Sequence, residues 1–549
     1  PVTPTRICSI PLSPSRLYAY YNDQMFDEWV KYYSKTNLDQ SPDLFLNYIF
    51  QRGNQFEDDI LKLIKRKGFP VKKICNGYGF NTIRQMSHLT EKCMRSGCPI
   101  IHSAPLYSKK RNFFGIADLL INGFALKKLF PHLVNCLNED EAIFGNYYYA
   151  IDIKSSSVQL LSNKYLGNTG KTNYYKSQVY MYSLIISDIQ NIEPTLGFLL
   201  CNKYKSCKVN YSPFERLGVI NFQGHDNYII PKFMKAVNYM RLFIRDGHLW
   251  NVDEDPTNQL LLPNDGSKGN CQGYKKAILQ RTGDITQLYR CGLKHRQMCF
   301  NKGIISINDP NISSENLGIC NSKYQKIVDK MIELHQQNRE TIYPNKITNV
   351  SHEWRNEDNA IYLDFETINN IFKGVERSGF IFNVGFCYQK KTKLKTKSYI
   401  VKELNDESEK QLLLRMIKKI QSISSNPVIY YYCADESMFN KSMNYHNIEI
   451  PDWKWIDVHK IFVNEPIVIK DCFNYKLKNV ANYLYKYNKI SSNLTDSIVN
   501  CGSNAMVLAY NYYTNKNNSN TEYMHRIIKY NEFDCKVLFE IISYLRKNH

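Results

Sequence analysis

The chain has 549 residues, 43% of them hydrophobic, and a formal net charge of +20; it is long enough for two or more buried cores and too apolar for a disordered polymer. A balance that basic favours a polyanionic partner, nucleic acid first. No apolar run reaches the roughly 18 residues of a membrane span, no charged-then-apolar leader opens the sequence, and the 16 cysteines are scattered, so membrane residence and a disulfide-stapled secreted fold are set aside in favour of reduced thiols inside a cell.

Taken in order, the first strong signal is a helix from Leu46 to Lys67, with Phe56, Ile60, Leu63 and Ile64 on one face and Gly68 closing it. The runs FFGIADLLI and YYYAIDIK, between Asn112 and Ile153, read as strands. Helical spacing returns in YYKSQVYMYSLII, then GFLLCNKY and KVNYS read as strands, and a helix runs from Lys232 to Asp246 before Gly247. Pro, Gly, Asp and Asn gather between Asp253 and Asn270, which marks a boundary. The expected organisation is a domain at 1–252, a helical connector at 253–345 and a second domain at 346–549. The last opens with IYLDFETI, FIFNVGFCYQ and KTKLKTKSYIV as three antiparallel strands. A helix (Ser408 to Ser422), the strand PVIYYYC, another helix and a C-terminal helix (Ile527 to Leu545) follow, an α/β pattern. The tract from Asn515 to Glu522 reads as a mobile loop.

The first candidate chemistry lies on the two N-terminal strands. Asp152 and Lys154 are two apart on one strand and share a face, and Asp118 ends the strand before it. Two carboxylates on adjacent strands suit Mg²⁺ or Mn²⁺, and a lysine beside them can offset phosphate charge or place a water. Upstream, Glu57 follows Gly53 in the first helix; downstream, Gln178 and Tyr182 stand one helical turn apart. The order of these elements resembles the RecB-like nucleases of the PD-(D/E)XK superfamily, including CRISPR-associated exonucleases, and SIPLSPSRLYAYY is similar to their Ser-Pro-Ser opening. The resemblance implies Glu57, Asp118 and Asp152 as metal ligands, Lys154 as the catalytic lysine, and Gln178 and Tyr182 as groups that hold lysine, metal or DNA.

The middle segment GDITQLYRCGLKHRQMCFNKGIIS has a turn at Gly292 among basic residues and a helix-hairpin-helix flavour. It resembles the linker of a prokaryotic family that fuses RecB-like and RNase H-like halves. Lys294, His295 and Arg296 are then expected to grip phosphates, the alternative being a structural connector with a solvated basic face.

In the last domain, Asp364 and Glu366 are two apart on a strand, and Tyr530 and Asp534 one turn apart on a helix. These resemble the first and third motifs of RNase H-like 3′→5′ exonucleases of the DEDD group with a tyrosine. The second motif offers Asp435 and Glu436; register favours Glu436, and a glutamate fits the fusion family, although the usual preceding Asn and Phe are missing. The family implies four acidic groups holding two metal ions, with Tyr530 orienting the attacking water. Lys391, Lys393, Lys395 and Lys397 alternate on a strand, as a phosphate track or as a solvated edge.

Other readings carry less. Cys8, Cys271, Cys291 and Cys299 are spaced too widely, without a C-x-x-C pair, for an iron–sulfur cluster. Cys75, Cys93, Cys98 and His102 imitate a zinc site, but buried thiols explain them more simply. No G-x₄-G-K-[ST] occurs, so the chain is not a P-loop helicase. The overall expectation is an α/β protein with a PD-(D/E)XK core, a helical connector and an RNase H-like domain. It would be a metal-dependent DNA nuclease, exonucleolytic, acting on single strands or duplex ends. A ribonuclease and a DNA-binding scaffold with inactive sites are the rivals. The expected location is the cytoplasm or nucleus, and the AT-rich residue bias leaves room for a viral replication compartment in repair or recombination.

Overall fold

The computed structural model describes residues 10–34, 44–75, 77, 79–136, 145–163, 165–206, 209–252, 260–266, 271–337, 340–493, 499, 501–514 and 521–549. Of the expected loop at 515–522, residues 515–520 lie outside them and Thr521 and Glu522 begin a helix, and most of the 253–270 boundary also lies outside. The chain is mixed α/β and divides into two compact units: Pro1–Gln40, Ile49–Pro263 and Ser267–Lys276 form one, and Ser41–Tyr48, Asn264–Gly266 and Ala277–His549 the other. The expected connector therefore does not stand apart. Its residues from 277 onward cluster with the C-terminal unit, where Ile285, Leu288, Val328 and Met331 share a core with Val458, Phe462, Val537 and Leu538. Among the described residues no helix is long and apolar enough to cross a membrane.

The N-terminal unit is built on a seven-stranded sheet, ordered β1 (Val71–Lys73), β2 (Ile100–Ser108), β3 (Phe113–Asn122), β4 (Tyr148–Gln159), β5 (Leu196–Lys205) and β6 (Asn210–Tyr211), with β7 (Gly218–Asn221) also paired to β5. β2, β3 and β4 are antiparallel, while β4 and β5 run parallel. Alternation along β4 sends Tyr149, Ile151 and Ile153 into one core and Ala150 into another. Asp152 and Lys154 share the parity of Ala150, the side on which the helix Thr172–Gln190 buries Val179, Tyr182 and Ile186. On the opposite side the helix Leu44–Arg66 buries Ile60 and Ile64, one turn apart. That helix ends before Gly68, whose φ of +85° supplies the left-handed residue a helix end favours.

The C-terminal unit holds a five-stranded sheet in the order β11 (Lys393–Ile400), β10 (Phe380–Lys390), β9 (Ala360–Ile368), β12 (Val428–Tyr431), β13 (Lys454–Asp457). A two-stranded ribbon pairs β8 (Ile342–Tyr343) with β14 (Val468–Ile469). β9, β10 and β11 form the expected antiparallel meander, and β12 and β13 add in parallel. The helix Thr521–Asn548 buries Ile527, Tyr530, Asp534, Leu538 and Ile541, a stripe at helical spacing that packs against β9 and β10. It reaches the sheet closely at Gly385: a Cβ there would stand 1.8 Å from Asn531 Oδ1.

Candidate metal centres

In the C-terminal unit β9 presents Asp364 and Glu366 on one face, and the helix Thr521–Asn548 lays Asp534 over them. One oxygen from each of these three carboxylates lies within 4.8 Å of the others. The register sets Asp364 opposite Gly385, and the missing side chain at Gly385 lets Asn531 fit beneath. Asn531 Nδ2 donates to Asp364 Oδ2 at 2.7 Å and to its carbonyl at 3.1 Å, fixing that carboxylate. Asn531 belongs to no motif visible in the sequence.

Of the two acids the sequence offers for the second motif, Asp435 is the one that faces Asp364, whereas register favours Glu436. The sequence reads PVIYYYC as a strand through Cys433, but β12 stops at Tyr431 and Cys433 takes φ +69°. The turn starts the next helix at Asp435. Asp435 is buried and accepts from the backbone N–H of Phe365 at 3.2 Å, and it raises Asp364 electrostatically. Glu436 instead accepts from Tyr431 Oη at 2.6 Å.

Burial is the leading cause that holds these acids above their ordinary range. Burial and then Asp534 push Glu366 up to about 8, burial pushes Asp435 up to about 7 and Asp534 up to about 6, and Asp364 lies well above its usual value from burial, Asp435 and Glu366. A buried acidic group in that condition lacks its counter-charge. Asp534 Oδ1 is buried without a hydrogen-bond partner. An all-carboxylate set with an unsatisfied oxygen fits a hard divalent cation such as Mg²⁺ or Mn²⁺. Tyr530, buried one turn before Asp534, lies beside that carboxylate, and the Lys478 ammonium donates to Tyr530 Oη at 2.5 Å. Burial lowers the Lys478 pKa, against the pull of Asp534 and Glu366. No sequence motif singled out Lys478.

In the N-terminal unit β3 and β4 bring Asp118, Asp152 and Lys154 together. Asp118 Oδ2 accepts from the Ile153 N–H at 2.7 Å, and Lys154 Nζ lies 2.6 Å from Asp152 Oδ2. Asp152 is fully buried, and its Oδ1 has no hydrogen-bond partner. Burial, then Asp152, pushes Asp118 up to about 8. Asp152 is raised by burial against the pull of Lys154. Burial acts to lower Lys154, but Asp152 and Asp118 outweigh it and leave it raised. Glu57 is near enough to raise both aspartates, and His102 Nε2 meets its Oε1 at 2.8 Å. Tyr182 is buried beside Asp118 and Asp152, with Gln178 Nε2 donating to its hydroxyl at 3.4 Å. Among the described residues, these N-terminal acids do not close into a three-ligand group as the C-terminal ones do. His102, buried and turned to Glu57, was raised from sequence only as a zinc ligand. Of its supposed co-ligands, Cys75 donates to the Gly77 carbonyl and Cys98 approaches Ser96.

The expected phosphate grip of the connector is corrected at two positions. Arg296 is fully buried, its Nη1 2.8 Å from Asp284 Oδ2, and so is held as a core ion pair. His295 Nδ1 accepts from the Gly292 N–H, capping the helix Leu293–Phe300; Lys294 is exposed. Lys391, Lys393, Lys395 and Lys397 are exposed on and beside the edge strand β11. Cys8 lies outside the described residues, and Cys271 donates to Asp27 Oδ1 at 2.8 Å.

The family model RNase_H_2, of the RNase H superfamily, matches residues 361–546, a span that holds Asp364, Glu366, Asp435, Tyr530 and Asp534. No curated protein and no solved structure matches the chain. The C-terminal part is thus RNase H-like, a domain type that fits a metal-dependent nuclease.

Proposed function

We propose that the protein is a Mg²⁺- or Mn²⁺-dependent nuclease of DNA, with a cleavage centre in its RNase H-like part and a second, PD-(D/E)XK-type centre in its N-terminal unit. The observation that carries the reading is the convergence of Asp364, Glu366 and Asp534 within 4.8 Å inside a domain matched by the RNase H model. When bound there, a divalent cation would polarise the scissile phosphate and acidify a water. Asp364, Glu366 and Asp534 would hold it, Asp435 would complete the acidic set, and Tyr530 would orient the attacking water. Asn531 keeps Asp364 in register by its two donations.

Three features support the N-terminal centre: the Asp118–Asp152–Lys154 contact, the nearby Glu57, and Tyr182 with Gln178 against the acids. There Lys154 would balance the phosphate charge, and Glu57, Asp118 and Asp152 would be the ligands. The net charge of +20 supports a polyanionic substrate. Fold alone does not separate DNA from RNA, so the test compares both. Full-length protein is incubated with end-labelled single- and double-stranded DNA and matched RNA, with Mn²⁺, Mg²⁺ or chelator. Asp152→Ala, Asp364→Ala and the double variant run alongside. Each single variant is expected to lose part of the DNA cleavage and the double variant all of it. Equal cleavage by wild type and double variant would place the chemistry elsewhere, and faster RNA cleavage would assign the chain to ribonucleases.

A further inference from the structure

Lys478 stands outside every motif that marked the acidic residues, yet it lies at the rim of the carboxylate cluster. Its Nζ donates to Tyr530 Oη at 2.5 Å and sits 3.7 Å from that ring's centroid. Asp534, Glu366 and Asp364 all act on it electrostatically. Tyr530 in turn lies beside Asp534 and Glu366. The hydroxyl's lone pair is thus held by the Lys478 ammonium, with the carboxylates of Asp534 and Glu366 close by. With its lone pair so occupied, the phenol turns its O–H away from the ammonium.

The chain builds this arrangement from a fixed support. Lys478 is the second residue of the helix Leu477–Lys486. The loop before that helix is pinned where Tyr432 Oη donates to the Tyr475 carbonyl at 2.5 Å, and Asn479 Nδ2 donates to Asn474 Oδ1 at 2.8 Å. Tyr432 follows β12 directly, in the turn that delivers Asp435. One strand end therefore places both an acid of the cluster and the lysine facing it.

We infer that Lys478 is a positioning residue of the C-terminal centre, holding the Tyr530 hydroxyl and setting an ammonium beside Glu366 and Asp534. The inference rests on reading that centre as a cation-dependent phosphodiester hydrolase. A fixed ammonium next to the ligands has two consequences of opposite sign. It repels a divalent cation, and it favours the extra negative charge that gathers as a phosphodiester is attacked. Removing the charge should therefore tighten cation binding while slowing cleavage. A lysine that served only packing would, when removed, loosen the site and weaken both.

The experiment uses the full-length chain carrying Asp152→Asn, so that cleavage reports the C-terminal centre. Mn²⁺ binding is read from thermal stabilisation, with Asp364→Asn defining the contribution of the same centre. In this background Lys478→Met is expected to cut single-stranded DNA about 10- to 100-fold more slowly at saturating Mn²⁺. Its half-saturating Mn²⁺ concentration should fall about threefold or more. Lys478→Arg should keep most of the rate, and Lys478→Gln should repeat both changes if the methionine variant folds poorly. Unchanged or weaker Mn²⁺ binding in the neutral variants, or cleavage as fast as the parent, overturns the assignment. If the Asp152→Asn parent cuts nothing with either cation, the hydrolase reading of this centre fails, and the Mn²⁺ shift alone decides whether Lys478 opposes the cluster charge.

Discussion

Asp435 and Glu436 are neighbours in sequence, yet their carboxylates go to different partners. Asp435 meets the Phe365 N–H beside Asp364, and Glu436 meets the Tyr431 hydroxyl. The difference has a direct consequence for cleavage. With Asp152→Asn silencing the other centre, Asp435→Asn is expected to lower the rate by about two orders of magnitude or more, and Glu436→Gln by less than about threefold. Initial rates on end-labelled DNA decide it, and the reverse order would return Glu436 to the site. The Asp–x–Glu and Tyr–x–x–x–Asp spacings were readable because strand and helix periods fix which side chains share a face. The choice between Asp435 and Glu436 was not, because it depends on where β12 stops and on a left-handed turn at Cys433. Asn531 and Lys478 were silent in sequence, and His102 was legible only as a zinc-like ligand and not as the partner of Glu57. Their partners lie 167, 52 and 45 residues away, and no local spacing encodes such contacts.

At the scale of elements, the junction of β10 with the C-terminal helix carries the geometry of the RNase H-like centre. Gly385 is a glycine because Asn531 occupies the space its side chain would take, with Cys535 Sγ 3.3 Å from a Cβ placed there. Gly385→Ala is expected to destabilise the unit by about 1–3 kcal/mol through overpacking. It should also slow C-terminal cleavage by pushing Asn531 off Asp364. The urea midpoint and the rate in the Asp152→Asn background measure the two effects, and a variant with both unchanged would show that the helix yields freely. β3, β4, β9 and β10 were legible as short apolar runs and the long helices by their helical spacing, whereas the helix Phe80–Arg95 and β2 were not read from sequence. In the connector, the basic run concealed a core contact at one position: Arg296 finds Asp284 twelve residues upstream and is buried with it.

For the whole molecule, the buried acids make stability depend on protons and cations together. Asp118 and Glu366 at about 8, Asp435 at about 7 and Asp534 at about 6 all lie above their ordinary values of 3.8 to 4.5. Between those limits the folded chain binds more protons than the unfolded one, so stability falls as pH rises through the window. A divalent cation that replaces those protons removes the penalty, and its stabilising effect should be larger at pH 8 than at pH 5.5. Thermal midpoints with chelator and with Mn²⁺ at the two pH values test this. Equal increments at both would mean that these carboxylates do not bind the ion.

The edge strand β11 bears on how copies of the chain behave in company. Among the described strands it pairs on one side only, with β10, and Lys393, Lys395 and Lys397 stand along it, all exposed. An extended segment docking there would have to accept a row of ammonium groups at two-residue intervals, which only an acidic strand could tolerate. A second copy, presenting the same lysines, is turned away. The row thus works as a solubility guard whether or not a phosphate ever touches it, and neutralising it would expose a ready template for sheet-to-sheet aggregation.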